Sequence, residues 1–95
     1  MITIMIPTAL RAFTENKSEL KLETDSVEGS LGLLISQHSE LKKHIMNEQG
    51  KLRSFVNIYV NEQDIRQLQG VATKIKNGDV VSIVPSIAGG VNKYG

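Results

Sequence analysis

Ile2, Ile4 and Ile6 alternate with Thr3 and Met5, a period of two that predicts a strand with the isoleucines on one face. Pro7 ends it by removing a backbone donor. A loop through Leu10, Arg11 and Phe13 leads to residues 19–24, where Leu20 and Leu22 alternate with charged residues and predict a second strand. The period then changes. Val27, Leu31, Leu34, Leu41 and Ile45 fall on one helical face, with His38 filling the gap in the stripe. Asp25-Ser26 offers an N-cap, and Glu28 lies three residues after Asp25 in a capping-box-like spacing. These signals predict a main helix over residues 27–38 and a further helical turn near 40–46, ended by the turn 47–50. Residues 55–60 are the clearest strand, with Val56, Ile58 and Val60 against Phe55, Asn57 and Tyr59. Asn61-Glu62 reads as a turn, 64–70 as loop, and 71–75 as a short strand or turn. Asn77-Gly78-Asp79 announces a last strand, in which Ser82 marks the wet face and Val81 and Ile83 point inward.

Two strands before one helix and more after it predict an α+β fold. The first and last strands, the most apolar, should lie side by side in the middle of a mixed sheet of about four to five strands, with the helix on one face. That is the β-grasp, or ubiquitin-like, arrangement. Residues 1–85 are expected to form one domain and residues 86–95 a flexible tail.

Composition narrows the chemistry. The 95 residues suit a single modest core, and a net charge of +1 leaves no electrostatic footprint for nucleic acid or an anionic membrane. The absence of cysteine excludes disulfides, thiolate metal sites and a cysteine nucleophile together. The apolar start is too short for a membrane span and lacks a basic flank, so a cytoplasmic chain is expected. His38 and His44 lack metal-ligand spacing, and His38 reads as a boundary residue. Gly29-Ser-Leu-Gly32 is too short for a phosphate loop, and no serine sits in a nucleophile-elbow context, so no side chain is assigned a catalytic role. Lys42-Lys43, Lys74 and Lys76 read as solvated faces, and Arg53 as a rim residue.

Two features remain. The outward positions of the sheet collect Met5, Phe55, Tyr59 and Val84, with Thr3 and Ser82 between them, and exposed apolar groups gathered on one face mark a partner surface. Directly downstream of Val84 comes Pro85-Ser-Ile-Ala-Gly89-Gly90. Paired glycines permit a narrow extended segment, and residues 86–90 reach at most roughly 17 Å. Ser86, Ile87 and Ala88 would join the partner surface as that segment enters an active site.

Residues 51–61 (Lys-Leu-Arg-Ser-Phe-Val-Asn-Ile-Tyr-Val-Asn), then Gly78-Asp79, then residues 81–90 ending in Ala-Gly-Gly, resemble the ThiS/MoaD family of ubiquitin-like sulfur carriers. The similarity includes the opening residues 6–11 and runs along the helix, and it is nearest the members that serve cysteine and homocysteine formation. The resemblance implies a carrier rather than an enzyme, monomeric when free, with no cofactor of its own. A ThiF/MoeB-like activating enzyme would use ATP to adenylate the Gly90 carboxylate, with Gly89 beside it in the active site. Sulfide or a persulfide would then give a glycyl thiocarboxylate. A pyridoxal-phosphate-dependent sulfhydrylase would take up the sulfur, and a JAMM-type zinc metalloprotease would release the product. No side-chain thiol is needed, in keeping with the absence of cysteine.

The chain departs from that pattern at one point. Gly90 is joined to Val91 in a peptide bond, and an amide cannot be adenylated as a carboxylate. A precursor cut between Gly90 and Val91 accounts for this; an appended run at 91–95, or Gly95 as the reactive end, are the alternatives. Sulfur delivery for molybdopterin or thiamine in place of cysteine or methionine biosynthesis, conjugation to proteins in the manner of ubiquitin, and a plain β-grasp interaction module also stay open.

Overall fold

The alternation of isoleucines at the start of the chain becomes β1, Ile2–Met5, in a computed structural model that describes residues 1–85. Ile2, Ile4 and Ile6 are buried, whereas Thr3 and Met5 are half-buried on the opposite face. β1 pairs antiparallel with β2, Glu19–Leu22, which ends two residues earlier than its pattern suggests. The link between them is not plain loop. Thr8–Phe13 forms a 3-10 helix that buries Leu10, and Thr14 closes it with its hydroxyl bonded to the Arg11 and Lys17 carbonyls at 3.3 and 3.1 Å.

The helical stripe folds as read. Helix α1 spans Val27–Gln37, a 3-10 turn follows at Ser39–Leu41, and α2 covers Lys42–Ile45. Val27, Leu31, Leu34, Leu41 and Ile45 are all buried. His38 is the half-buried C-cap of α1, its N–H donating to the Leu34 carbonyl. The cap at the other end differs from expectation. Ser26, not Asp25, is the N-cap, its Oγ accepting from the Gly29 N–H at 2.9 Å, so Glu28 falls one position short of a capping box. A β-carbon on Gly29 would collide with Thr24 Oγ1, which explains a glycine in this first turn.

β3, Val56–Val60, leaves Phe55 in the preceding turn rather than in the strand. Asn61 and Glu62 both take positive φ, which suits a tight hairpin, and join β3 to the two-residue β4, Gln63–Asp64. The stretch 64–70, read as loop, therefore begins in that strand and holds a 3-10 turn at Ile65–Gln67, and a second 3-10 turn at Gly70–Ala72 leads into the segment 71–75 read as a short strand or turn. Lys74 then makes an isolated bridge to Ser26, and Gly78 turns the chain with φ +91 into β5, Val80–Pro85.

The five strands form one mixed sheet in the order β2-β1-β5-β3-β4. β1 and β5 are parallel and central, each bordered on its other side by an antiparallel neighbour. This is the β-grasp predicted from element order. Helix and sheet meet in one core, in which Ile2, Ile4, Val56, Ile58, Val60, Val81 and Ile83 face Val27, Leu31, Leu34, Leu41 and Ile45. Among the described residues no helix is long and apolar enough to cross a membrane.

Candidate functional site

Because side chains alternate along a strand, burying one parity of β1, β5 and β3 sends the other parity to the outer face. Register decides which outer residues meet. Met5 and Tyr59 both pair with Ser82, so Met5, Ser82 and Tyr59 form one row across three strands. Thr3 beside Val80 forms the row on one side, and Val84 beside Asn57 the row on the other. Val84 is 44% exposed and Phe55 40%, while Met5 and Tyr59 are half-buried. Phe55 adjoins Val56, the partner of Pro85, and so sits at the end of the sheet where β5 runs into residue 86. Tyr59, Glu62, Ser82 and Val84 border a shallow depression of about 340 Å³.

Three of the four predicted body residues, Met5, Tyr59 and Val84, thus share one face, while Phe55 lies in the turn at its end. Ser86, Ile87, Ala88, Gly89, Gly90 and Val91 lie outside the described residues. Charge frames the face at its two sides. At the β2 side, Lys21 Nζ donates to Thr3 Oγ1 at 2.7 Å and lies 3.6 Å from Glu19. At the β4 side, Arg66 forms a forked pair with Asp64, which lies opposite Tyr59, with its shortest N–O distance 2.6 Å. The hydrogen bonds from the Arg66 guanidinium and its backbone N–H hold the Asp64 carboxyl below the ordinary carboxylate value and push Arg66 up. An apolar centre with a charged rim is the anatomy of a protein-binding patch.

One arrangement at the foot of the sheet was not legible from local pattern. Asn61 Nδ2 donates to Asp79 Oδ1 at 2.9 Å, and the Lys76 N–H donates to Asp79 Oδ2 at 2.9 Å. Asn61 also exchanges bonds with Val80, its own N–H reaching the Val80 carbonyl and its Oδ1 accepting from the Val80 N–H. The Asp79 carbonyl accepts from Thr3 N–H. This clamp fixes the start of β5 against β1 and the β3–β4 hairpin together. Its donors, Asn61 first and then the Lys76 N–H, lower the Asp79 pKa. Asn61 and Asp79 stand in two turns that were each legible in the sequence, but it is the β3–β5 pairing that brings those turns together.

The histidines form no metal site: among the described residues no cluster of His, Asp and Glu could hold an ion. His44 instead stacks on Phe13, with ring centroids 4.3 Å apart. Arg53 donates from Nε to the Lys43 carbonyl at 2.8 Å, which ties the chain ahead of β3 to α2. Lys42, Lys43, Lys74 and Lys76 are exposed.

The ThiS family model matches residues 4–90. The chain belongs to the ThiS family. It is 38% identical over 91 residues to the sulfur carrier protein CysO of Mycobacterium tuberculosis, covering 94% of this chain and 98% of that one. In structure it matches the crystal structure of the Amycolatopsis orientalis BexX/CysO complex with a TM-score of 0.85 and 33% identity, over 95% of this chain and 100% of the other. The solution structure of small archaeal modifier protein 1 from Methanosarcina acetivorans matches with a TM-score of 0.81 and 28% identity, over 94% and 95%. Membership of this family makes the chain a carrier protein rather than an enzyme.

Proposed function

We propose that the chain is the precursor of a sulfur carrier whose reactive group is the Gly90 carboxylate, exposed when residues 91–95 are removed. The observation that carries this reading is where the family match ends: at residue 90, the second glycine, while the chain continues into Val91. Hydrolysis of the Gly90–Val91 amide adds water and frees the carboxylate. A carboxylate is a poor electrophile, so one of its oxygens attacks the α-phosphorus of ATP and pyrophosphate departs. Hydrosulfide then attacks the acyl carbon of the adenylate, AMP leaves, and a thiocarboxylate remains. From a persulfide donor the same attack leaves an acyl disulfide, and a thiol exchanges with its outer sulfur to release the thiocarboxylate.

The chain supplies a docking body and a tail. The row Met5–Ser82–Tyr59, with Val84 and Phe55, seats on an activating enzyme of the ThiF/MoeB kind, and Ser86, Ile87 and Ala88 lead Gly89-Gly90 into its active site. ATP belongs to that enzyme, zinc to a JAMM-type protease, and pyridoxal phosphate to a sulfhydrylase that accepts the sulfur for cysteine or homocysteine. All would act in the cytoplasm. The crystallised complex of the Amycolatopsis relative with BexX supports a role exercised through protein partners. A second reading, attachment of Gly90 to other proteins, draws on the likeness to an archaeal modifier protein.

Intact-mass analysis of the protein from its own cells tests the proposal. A species ending at Gly90 with one oxygen exchanged for sulfur is the expected result. Finding only chain that extends to Gly95, under sulfur limitation as well, would overturn it. Gly90 found in isopeptide linkage on larger proteins would establish the second reading instead.

A further inference from the structure

The β2 edge of the sheet, whose Glu19 and Lys21 also rim the outer face, carries a charge pattern that continues into its flanking residues. Lys17, Glu19, Lys21 and Glu23 alternate in sign along its exposed outer face, and Leu20 sits half-buried between them on the inner side. The Ile6 N–H donates to the Ser18 carbonyl, and the register pairs Ile4 with Leu20 and Ile2 with Leu22. In an antiparallel ladder the hydrogen-bonded pairs alternate, so the even residues of β2 bond to β1. The N–H and C=O groups of Glu19 and Lys21 therefore point away from β1. No strand of the described residues pairs on that side. The opposite edge offers no equivalent, since β4 has two residues and Asp64 there is held by Arg66.

We propose that this edge is an interface with a second copy of the chain, β2 against β2 in antiparallel register with Leu20 opposite Leu20 of the copy. That register makes Glu19 and Lys21 reciprocal hydrogen-bonded pairs, using the backbone groups that face outward. It also places every charge opposite its complement: Glu19 against Lys21, and Lys17 against Glu23, each twice by two-fold symmetry. Shifting by one hydrogen-bonded step in either direction brings like charges together, Lys21 on Lys21 one way and Glu19 on Glu19 the other. Charges on an edge strand ordinarily discourage pairing. Here their alternation selects one register out of the set.

The ends add less than the centre. The Lys17 carbonyl already accepts from Thr14 Oγ1, and Glu23 lies 3.2 Å from the N-terminal amine, so the outer pairs contribute charge and little ladder. The interface is short, and the dimer is correspondingly weak and sensitive to salt. Because β2 and β5 are separated by β1, the row Met5–Ser82–Tyr59 stays open in the dimer. The carrier would dimerise at high concentration with the apolar row open and only the Glu19–Lys21 rim engaged.

Sedimentation equilibrium of the full chain between micromolar and millimolar concentration tests this. The weight-average mass should rise towards that of a dimer and fall back in about 1 M salt. Lys21→Glu should weaken association roughly tenfold, because symmetry breaks two pairs at once. The double exchange Glu19→Lys with Lys21→Glu restores opposite charges at both central pairs of this register, and should restore the dimer. Since the chain has no cysteine, Leu20→Cys gives a clean probe. It should form a disulfide-linked dimer on mild oxidation, while Glu23→Cys, whose copies would lie about 20 Å apart, should not. A mass that stays monomeric throughout, a double exchange no better than Lys21→Glu, or equal cross-linking at both cysteines would each overturn the proposal.

Discussion

The two faces of the same three strands have opposite character. On the inner side β1, β5 and β3 present Ile2, Ile4, Val81, Ile83, Val56, Ile58 and Val60, all aliphatic and all buried. On the outer side the alternate residues are Thr3, Met5, Val80, Ser82, Val84, Asn57 and Tyr59, a mixture of hydroxyl, amide, thioether and ring. Val81 is fully buried, yet three residues along the strand Val84 is 44% exposed. Period-two alternation lets one strand carry two separate messages. One parity fixes the fold through volume and shape. The other is released from packing and can be composed for recognition.

Substitutions of matching chemistry on the two faces should therefore have very different effects. The largest is expected for Ile4→Asp. Ile4 has no exposed surface, and a carboxylate there would have neither water nor a cation to satisfy it. The variant should be unfolded at neutral pH by circular dichroism, and a folded Ile4→Asp protein would show that the inner face tolerates what the core assignment forbids. Ile83→Ala, a deletion without a charge, should cost about 2–4 kcal/mol through the cavity it leaves, measured by denaturant unfolding.

The outer face should answer in the reverse sense. Phe55→Ser and Val84→Ser remove exposed apolar groups and should leave stability within about 0.5 kcal/mol. The same pair should weaken binding to the proposed activating enzyme by roughly tenfold or more, since a few apolar side chains dominate such contacts. Titration calorimetry beside a thermal melt separates the two quantities. If the double variant melts early and binds normally, the outer face belongs to the fold and not to recognition.

A smaller effect probes the helix start. Ser26→Ala removes the acceptor for the Gly29 N–H and should cost about 1 kcal/mol. Asp25→Ala, by the capping-box reading, would cost as much; by the observed cap it should cost less. The reason Asp25 lost the position is tertiary. Its carbonyl is engaged by the Ile75 N–H, and Ser26 is bridged to Lys74 while Val27 N–H reaches the Thr73 carbonyl. Those contacts fix the frame in which the helix begins, and nothing in residues 25–28 alone announces them.

The same distinction runs through the molecule. Elements with a sustained period were legible: the isoleucines of β1, the stripe from Val27 to Ile45, and the parity of β3 and β5 all translate directly into burial. The outer row followed from that parity without further information. The 3-10 segments at Thr8–Phe13 and Ile65–Gln67 were not legible, because one or two turns are too short for a period and contribute few buried residues, Leu10 and Ile65 among them. Phe55 was assigned to a strand that begins one residue later. The Asn61–Asp79 contact needed the β3–β5 register before its partners could be recognised as neighbours. Glycines 89 and 90 lie outside the described residues, and there the family match, not the fold, carries the argument.

The clamp also separates charge from geometry in a way the two faces cannot. Asp79 accepts from Asn61 and from the Lys76 N–H, and these bonds lower its pKa in the folded state. A carboxyl whose folded pKa lies below its unfolded value contributes stability that is fully present above the unfolded pKa and is lost as pH falls through the folded one. Asp79→Asn should therefore be less stable than the parent at neutral pH, and the gap should close on acidification through the carboxylate range. The effect is small, since an asparagine oxygen can still accept one of the two bonds and only the ionic part disappears. Asp64, paired with Arg66 on the exposed rim, titrates in the same sense, so Asp64→Asn in parallel removes its share from the comparison. A gap for Asp79→Asn that stays constant with pH would mean that the foot of β5 is held by the shape of its hydrogen bonds alone, with the aspartate's charge contributing nothing.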